Sequence, residues 1–318
     1  MIKKMIAPII VGLMAVACIV LFFVVGPKLS RLQLDTLMIL GIVCGSSVLY
    51  CFIVGQISGN NSQMDKLWSI LPPVYCWIIA AKGGMNVRLV IMALLATLWG
   101  IRLTFNFARK GAYHIKFWAG EEDYRWAILR KNKMLSNKFM WVLFNFFFIS
   151  VYQNVLILLT TLPGLVAIGS EVPLNWIDFV AGGFVLLFLL IETIADEQQW
   201  KFQSIKYAML GEGRKLEELP APYSLGFNTV GLWNHARHPN YLGEQGIWFS
   251  FYFFSVAAGL FVYNWTMIGS LLLILLFTGS TLFAESISKS KYPQYAEYCQ
   301  KVSCYFPLKG YIKRQKKS

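Results

Sequence analysis

The chain has 318 residues, of which 57% are hydrophobic and 14% charged, and it carries a net charge of +13. A soluble domain is about 25% charged, so this composition, with its mean hydropathy of +0.54, excludes an ordinary soluble protein and reads as an integral membrane protein. The surplus of cations is assigned to membrane topology and to anionic headgroups rather than to nucleic acid, for which no motif occurs.

A membrane-spanning helix needs about 20 apolar residues, and eight runs are read as spans. The first, Met5–Val25, follows Lys3 and Lys4, has no convincing cleavage site and is read as a retained helix. The second is Thr36–Gly55. The third, Leu67–Ala81, is short and contains Pro72 and Pro73, so it is kinked, re-entrant or shifted in register. The fourth is Leu89–Ala108. A charged, aromatic segment, Arg109–Lys138, then leads to the fifth span, Phe139–Leu162, and the sixth, Trp176–Ala195. The polar stretch Asp196–Asn240 opens as a helical continuation and meets turn signals at Gly211–Gly213 and Leu219–Pro222. The seventh span is Tyr241–Tyr263 and the eighth Met267–Ile287, followed by a basic, tyrosine-rich tail. The expectation is an all-α, polytopic bundle of about eight spans.

The cations fall on one side of that arrangement. Segments 109–138 and 196–240, the tail, Lys3, Lys4 and Lys66 lie together, leaving Lys28, Arg31, Lys82 and Arg88 opposite. Positive charge marks the cytoplasmic side, which places both termini there: in the endoplasmic reticulum for a eukaryotic chain, in the inner membrane for a bacterial one. The three ordered-looking segments then form a cytoplasmic cap, suited to a water-soluble reactant. The six cysteines include no Cys-x-x-Cys pair and no histidine at ligand spacing, so neither a disulfide nor a metal site is expected.

Several ionisable residues sit in or at the ends of apolar runs: Asp65, Arg102, Glu192, Glu244 and Glu285. Such groups face a bundle interior and have partners. The structural reading is a buried ion pair, such as Arg102 with Glu192, or snorkelling at a helix end. Glu192 and Asp196 are four apart and share a helix face. The densest polar knot is Gly231–Glu244, with Trp233, His235, Arg237, His238, Asn240 and Tyr241. Pro239 predicts a helix start, whose free N–H groups, with Arg237 beside them, suit an anionic cofactor. The plainer alternative is contact with lipid phosphate. No Gly-x-Ser-x-Gly, Gly-x-Gly-x-x-Gly or P-loop occurs.

Residues 237–244 resemble the Arg-His-Pro-x-Tyr-x-Gly signature of the steroid 5-alpha-reductase-like membrane enzymes, a superfamily that includes sterol reductases and isoprenylcysteine carboxyl methyltransferases. Asn60–Trp68, Trp99–Leu103, Gly120–Arg125, Glu192–Trp200 and the stretch from Tyr295 to Pro307 are similar to its poorly characterised, reductase-like branch. The resemblance implies N-terminal transmembrane helices over 1–58 and one integrated reductase-like domain over 59–318, with NADPH held by the C-terminal half. It implies Glu192, Asp196, Arg237, His238, Asn240, Tyr241, Tyr292 and Tyr295 on the cofactor side. Asp65 matches the substrate-side acid, with Arg102 and Glu192 positioning. Trp99, which has no acidic proton, stands near the place of the family's tyrosine. The implied activity is reduction of a carbon–carbon double bond in a lipophilic substrate drawn from the bilayer. Two alternatives are an S-adenosylmethionine-dependent methyltransferase, whose paired glutamates are here the single Glu285, and an inactive lipid-binding protein.

Overall fold

The computed structural model describes residues 28–306, together with Val16 and Val20 as isolated positions. The expected first span and the lysine-rich end of the tail lie outside the described residues.

Every regular element among the described residues is helical. Helix α1, Arg31–Ser58, opens with a reciprocal box: the Ser30 hydroxyl accepts from the Gln33 N–H at 3.2 Å and the Gln33 amide accepts from the Ser30 N–H at 2.9 Å. It closes at Gly59, whose φ of +69° is open to glycine. Its outer face leaves Met38, Ile42, Leu49, Ile53 and Ile57 exposed, as suits a helix bathed in lipid.

The expected third span is divided. A short helix, α2 (Gln63–Trp68), precedes α3 (Leu71–Lys82), and Pro72 and Pro73 fall in the first turn of α3. There the missing N–H groups cost nothing, so the prolines start a helix instead of bending one. At 12 residues α3 is too short to span alone. Helix α4 runs Val87–Ala108, α5 Tyr124–Arg130 and α6 Lys138–Phe144. A π-helical segment, Asn145–Tyr152, joins α6 directly to α7, Gln153–Ala167.

Helix α8 is continuous over 36 residues, Trp176–Gly211, so the polar stretch after Ala195 extends the same helix. Helix α9 is Pro239–Ala257, beginning at the predicted proline, α10 is Ile268–Lys291 and α11 is Tyr295–Lys301. Among the described residues, five stretches are long and apolar enough to cross a membrane: Arg31–Ser58, Val87–Ala108, Lys138–Ala167, Trp176–Gly211 and Trp265–Lys291. α9 has the length but interrupts its apolar residues with Asn240, Glu244 and Gln245, and it is not among these five.

The chain divides into two compact units. The first comprises Met1–Gly183 with Trp248–Leu273, the second Phe184–Ile247 with Ile274–Ser318. In the first, α3 packs on α4 and α7 around Tyr75, Ile79, Met92 and Leu165, and Trp99 meets Trp248 edge-on at 4.9 Å. Gly100 lies where a Cβ would stand 2.5 Å from the Ser69 carbonyl, so no side chain fits at that crossing. A staple fixes another corner. Arg88 grips Asp178 through two bonds of 2.7 and 2.9 Å and also donates to the carbonyls of Val172, Pro173 and Ala257. In the second unit, Phe227, Tyr295, Tyr298 and Val302 form an aromatic core.

Candidate functional site

The first unit builds a polar site around α2. The residues Asn61, Ser62, Gln63, Asp65, Lys66 and Ser69 are all buried, an unusual density for a segment flanked by apolar helices. The segment after α4 closes over them. Lys66 Nζ donates to the carbonyls of Phe117 (2.8 Å) and Ala119 (2.5 Å), and Gln63 to that of Trp118 (2.9 Å). Glu122 accepts from the Asn61 N–H at 2.7 Å and forms an ion pair with Arg130 at the same distance. Segment 109–123 is thus held by buried bonds, in line with its charged, aromatic composition.

Asp65 accepts a 3.0 Å bond from the indole N–H of Trp126 on α5. Burial pushes its carboxyl above the ordinary value of 3.8, and the Asp123 carboxylate pushes the same way; Arg125, Ser62 and Trp126 oppose them only in part. At Asp123 burial also acts upward, but Arg125, bonded at 2.8 and 2.9 Å, outweighs it and holds that carboxyl below its usual range. Two neighbouring carboxyls are therefore driven apart, with the proton favoured on Asp65 and the charge on Asp123. Arg102 is carried by α4 in this same unit, and Trp99, completely buried, is a packing residue against Trp248.

The second unit holds the remaining predicted residues. The junction of Ala236, Arg237 and His238 runs beside the tail: Arg237 N–H donates to the Ser303 carbonyl (2.9 Å) and His238 N–H to that of Cys304 (3.0 Å). The Arg237 guanidinium gives Nε to Glu285 at 2.6 Å and Nη1 to the carbonyls of Cys299 and Val302. His238 Nε2 lies 3.3 Å from the same Glu285 oxygen, and its ring stacks on Tyr241 with centroids 5.1 Å apart. Glu285 is thus the hub that ties α10, the start of α9 and the tail together. Asn240 donates to Asp196 at 3.2 Å. Tyr292 and Tyr295 flank Phe227, and burial raises both phenols, so both are neutral donors at physiological pH. Glu192 lies under Gly243, where an added Cβ would stand 2.5 Å from the Glu192 Cβ.

His238, Glu285 and Cys304 bring one ligand atom each within 4.8 Å of one another, a constellation that spacing along the chain could not show. Arg237 already neutralises Glu285, and burial pushes the Cys304 thiol up to about 11 and keeps it protonated. Both features disfavour a cation, and the cluster is read as an ion-paired staple.

The fit of a nucleotide can be judged from buried polar atoms. Gln199 Oε1, Asn228 Nδ2 and Thr229 Oγ1 have no hydrogen-bond partner among the described residues. Gln199 lies one turn beyond Asp196 on α8, and Asn228 and Thr229 are 3% and 0% exposed. Buried groups of this kind ordinarily find partners, so these residues suit a ligand rich in hydroxyl and amide groups. Gln199 lay within a segment singled out by resemblance, whereas Asn228 and Thr229 carry no local sequence signal.

These features define an all-helical, multi-pass membrane protein with buried polar sites in both units. The chain belongs to the family described as protein of unknown function (DUF1295), whose model matches residues 51–302. It is also similar to an uncharacterised protein of Schizosaccharomyces pombe, with 36% identity over 287 residues, covering 82% of this chain and 78% of the relative. No solved structure matches.

Proposed function

We propose that the protein is a membrane-embedded, NADPH-dependent reductase of a polarised carbon–carbon double bond in a steroid or other lipid, of the steroid 5-alpha-reductase-like kind. The observation that carries this reading is Asp65: a buried carboxyl whose surroundings favour the protonated form, inside a cluster of buried polar side chains. A carboxyl biased toward its protonated form can hydrogen-bond a substrate carbonyl. Trp126 fixes one Asp65 oxygen and thereby orients the other.

When bound, the cofactor supplies hydride to the β-carbon, and the α-carbon then takes a proton. Asp196, Asn240, His238 and Tyr241 are the residues for its polar groups, with Gln199, Asn228 and Thr229 as further contacts. Arg237 orders this wall through Glu285 and the tail, with Tyr292 and Tyr295 behind it. Arg102, in the first unit with Asp65, has the substrate-positioning role, and the resemblance gives Glu192, in the second unit, a positioning role as well. A substrate dissolved in the bilayer suits a chain whose described residues include five helices apolar enough to cross one. The cytoplasmic placement of both termini rests on the distribution of basic residues.

The test is purified protein assayed for NADPH oxidation against a panel of enones and sterols, with thermal unfolding measured beside NADPH, NADH and S-adenosylmethionine. Stabilisation by NADPH that falls in Asn240→Ala supports the reading. Turnover of S-adenosylmethionine without NADPH oxidation would establish the methyltransferase alternative. No response to any of the three would mark an inactive lipid-binding protein.

A further inference from the structure

Three carboxamides of the first unit are buried, and each has an atom with no hydrogen-bond partner among the described residues: Asn61 Nδ2, Asn145 Nδ2 and Asn154 Oδ1. Their exposures are 3%, 0% and 0%. The other end is tied down in Asn61 and Asn154, and Asn145 has a weaker contact there. Asn61 Oδ1 accepts from Arg130 at 2.5 Å, Asn154 Nδ2 donates to the Ser150 carbonyl at 2.7 Å, and Asn145 Oδ1 faces the Ser150 hydroxyl at 3.5 Å. The two free donors converge. A Cβ added to Gly55 on α1 would stand 3.3 Å from Asn61 Nδ2 and 3.6 Å from Asn145 Nδ2.

Leaving two amide donors unmade in a buried place is expensive, so the arrangement calls for an acceptor. Arg130 is paired with Glu122, and the two donors are uncharged amides, so a neutral oxygen is enough to satisfy them. A cleft of about 320 Å³ is lined by Gln56, Arg130, Lys138, Trp141 and Val142. Gln56 adjoins Gly55 in the chain, and Asn145 lies one helical turn from Trp141 and Val142. The cleft sits where the candidate span Arg31–Ser58 ends and Lys138–Ala167 begins, the level at which a lipid's polar end meets the membrane surface.

We infer that Asn61 and Asn145, gathered around Gly55, form a binding site for the neutral oxygen function, carbonyl or hydroxyl, of a lipid entering through this cleft. The site rests on the reductase reading only in taking the ligand to be a lipid.

The experiment uses full-length protein in detergent and three probes: a 4-en-3-one sterol, its 3-hydroxy counterpart and the parent hydrocarbon without oxygen. Thermal unfolding is followed in the wild type, Asn145→Leu and Gly55→Ala. The oxygenated probes stabilise the wild type more than the hydrocarbon does, and Asn145→Leu weakens that response by about tenfold in apparent affinity. Without ligand, Asn145→Leu is at least as stable as the wild type, because an unmade donor has been removed. Gly55→Ala occupies the point between the donors, with its Cβ 3.3 Å from Asn61 Nδ2, and loses the oxygen-dependent response. An oxygen-independent response in the wild type, or one unchanged in both variants, overturns the site. NADPH stabilisation measured on the same samples separates the two readings: if it persists while the oxygen response is absent, this site fails and the reductase reading stands.

Discussion

Glu285→Gln gives a stringent test of how the second unit is held together. The substitution keeps shape and removes charge. In the wild type, Oε1 takes the Arg237 Nε–H at 2.6 Å and faces His238 Nε2 at 3.3 Å, with Arg237 and Glu285 side chains only 13% and 8% exposed. A hydrogen bond to a charged group contributes about 1.5–3 kcal/mol. Lys289, 43% exposed at 3.5 Å, adds at most about 1 kcal/mol after solvent screening. The larger cost is that Arg237 remains buried without its anion, and breaking one side of a buried pair costs about 3–5 kcal/mol in all. At roughly 2–4 °C per kcal/mol, the unfolding temperature of detergent-purified Glu285→Gln falls on the order of 10 °C. The double variant Arg237→Gln/Glu285→Gln recovers a good part of that loss, because no charge is stranded. A single variant within about 1 °C of the wild type would refute the hub assigned to Glu285.

Asp65→Asn is expected to abolish NADPH-dependent turnover without loss of folding at pH 7.5. A carboxyl raised by burial contributes stability that is fully present below its unfolded value near 3.8 and is lost as pH rises through the folded value; the wild type therefore softens over that window and the amide does not, as unfolding temperatures across pH will show. Trp126→Phe removes a bond that favours ionised Asp65, so the alkaline limb of the rate profile moves to higher pH; a shift to lower pH would contradict this role. Arg88→Met strands the Asp178 carboxylate, 2% exposed, and costs about 3–5 kcal/mol, whereas Arg88→Met/Asp178→Leu restores most of it, read by thermal unfolding. Gly243→Ala drives a Cβ to 2.5 Å from that of Glu192 and 3.0 Å from the Phe188 carbonyl, an overpacking worth about 1–3 kcal/mol; an unaltered unfolding temperature would mean that α8 and α9 part easily at this point.

Local rules explain what the sequence could show. The apolar runs place α1, α4, α7, α8 and α10, and Pro239 marks the start of α9, because hydrophobic length and a proline's fixed φ act within a few residues. The short third run was visibly irregular, but whether Pro72 and Pro73 kink or begin a helix depends on the break at Ser69 and Ile70, which packing against Gly100 sets. Pairings across the chain were out of reach. Arg237 meets Glu285 over 48 residues and Arg88 meets Asp178 over 90, and no spacing rule picks those partners from the other ionisable groups. Arg237 looked, from its neighbours alone, like a ligand for phosphate; the fold gives its Nε and Nη1 to the tail and Glu285.

The π-helical stretch Asn145–Tyr152 gives the chain an unusual tolerance of length. Phe144, Phe148 and Tyr152 stack along it in a ladder, with centroids 5.0 and 5.6 Å apart. A π turn accommodates one residue more than an α turn does. Excising one residue there would let the segment close to ordinary pitch while the helix beyond it stays nearly in phase. Asn154, Thr160 and Thr161 would keep their neighbours. The same excision further along, inside Gln153–Ala167, has no wide turn to absorb it and would swing everything after it by about 100° about the helix axis.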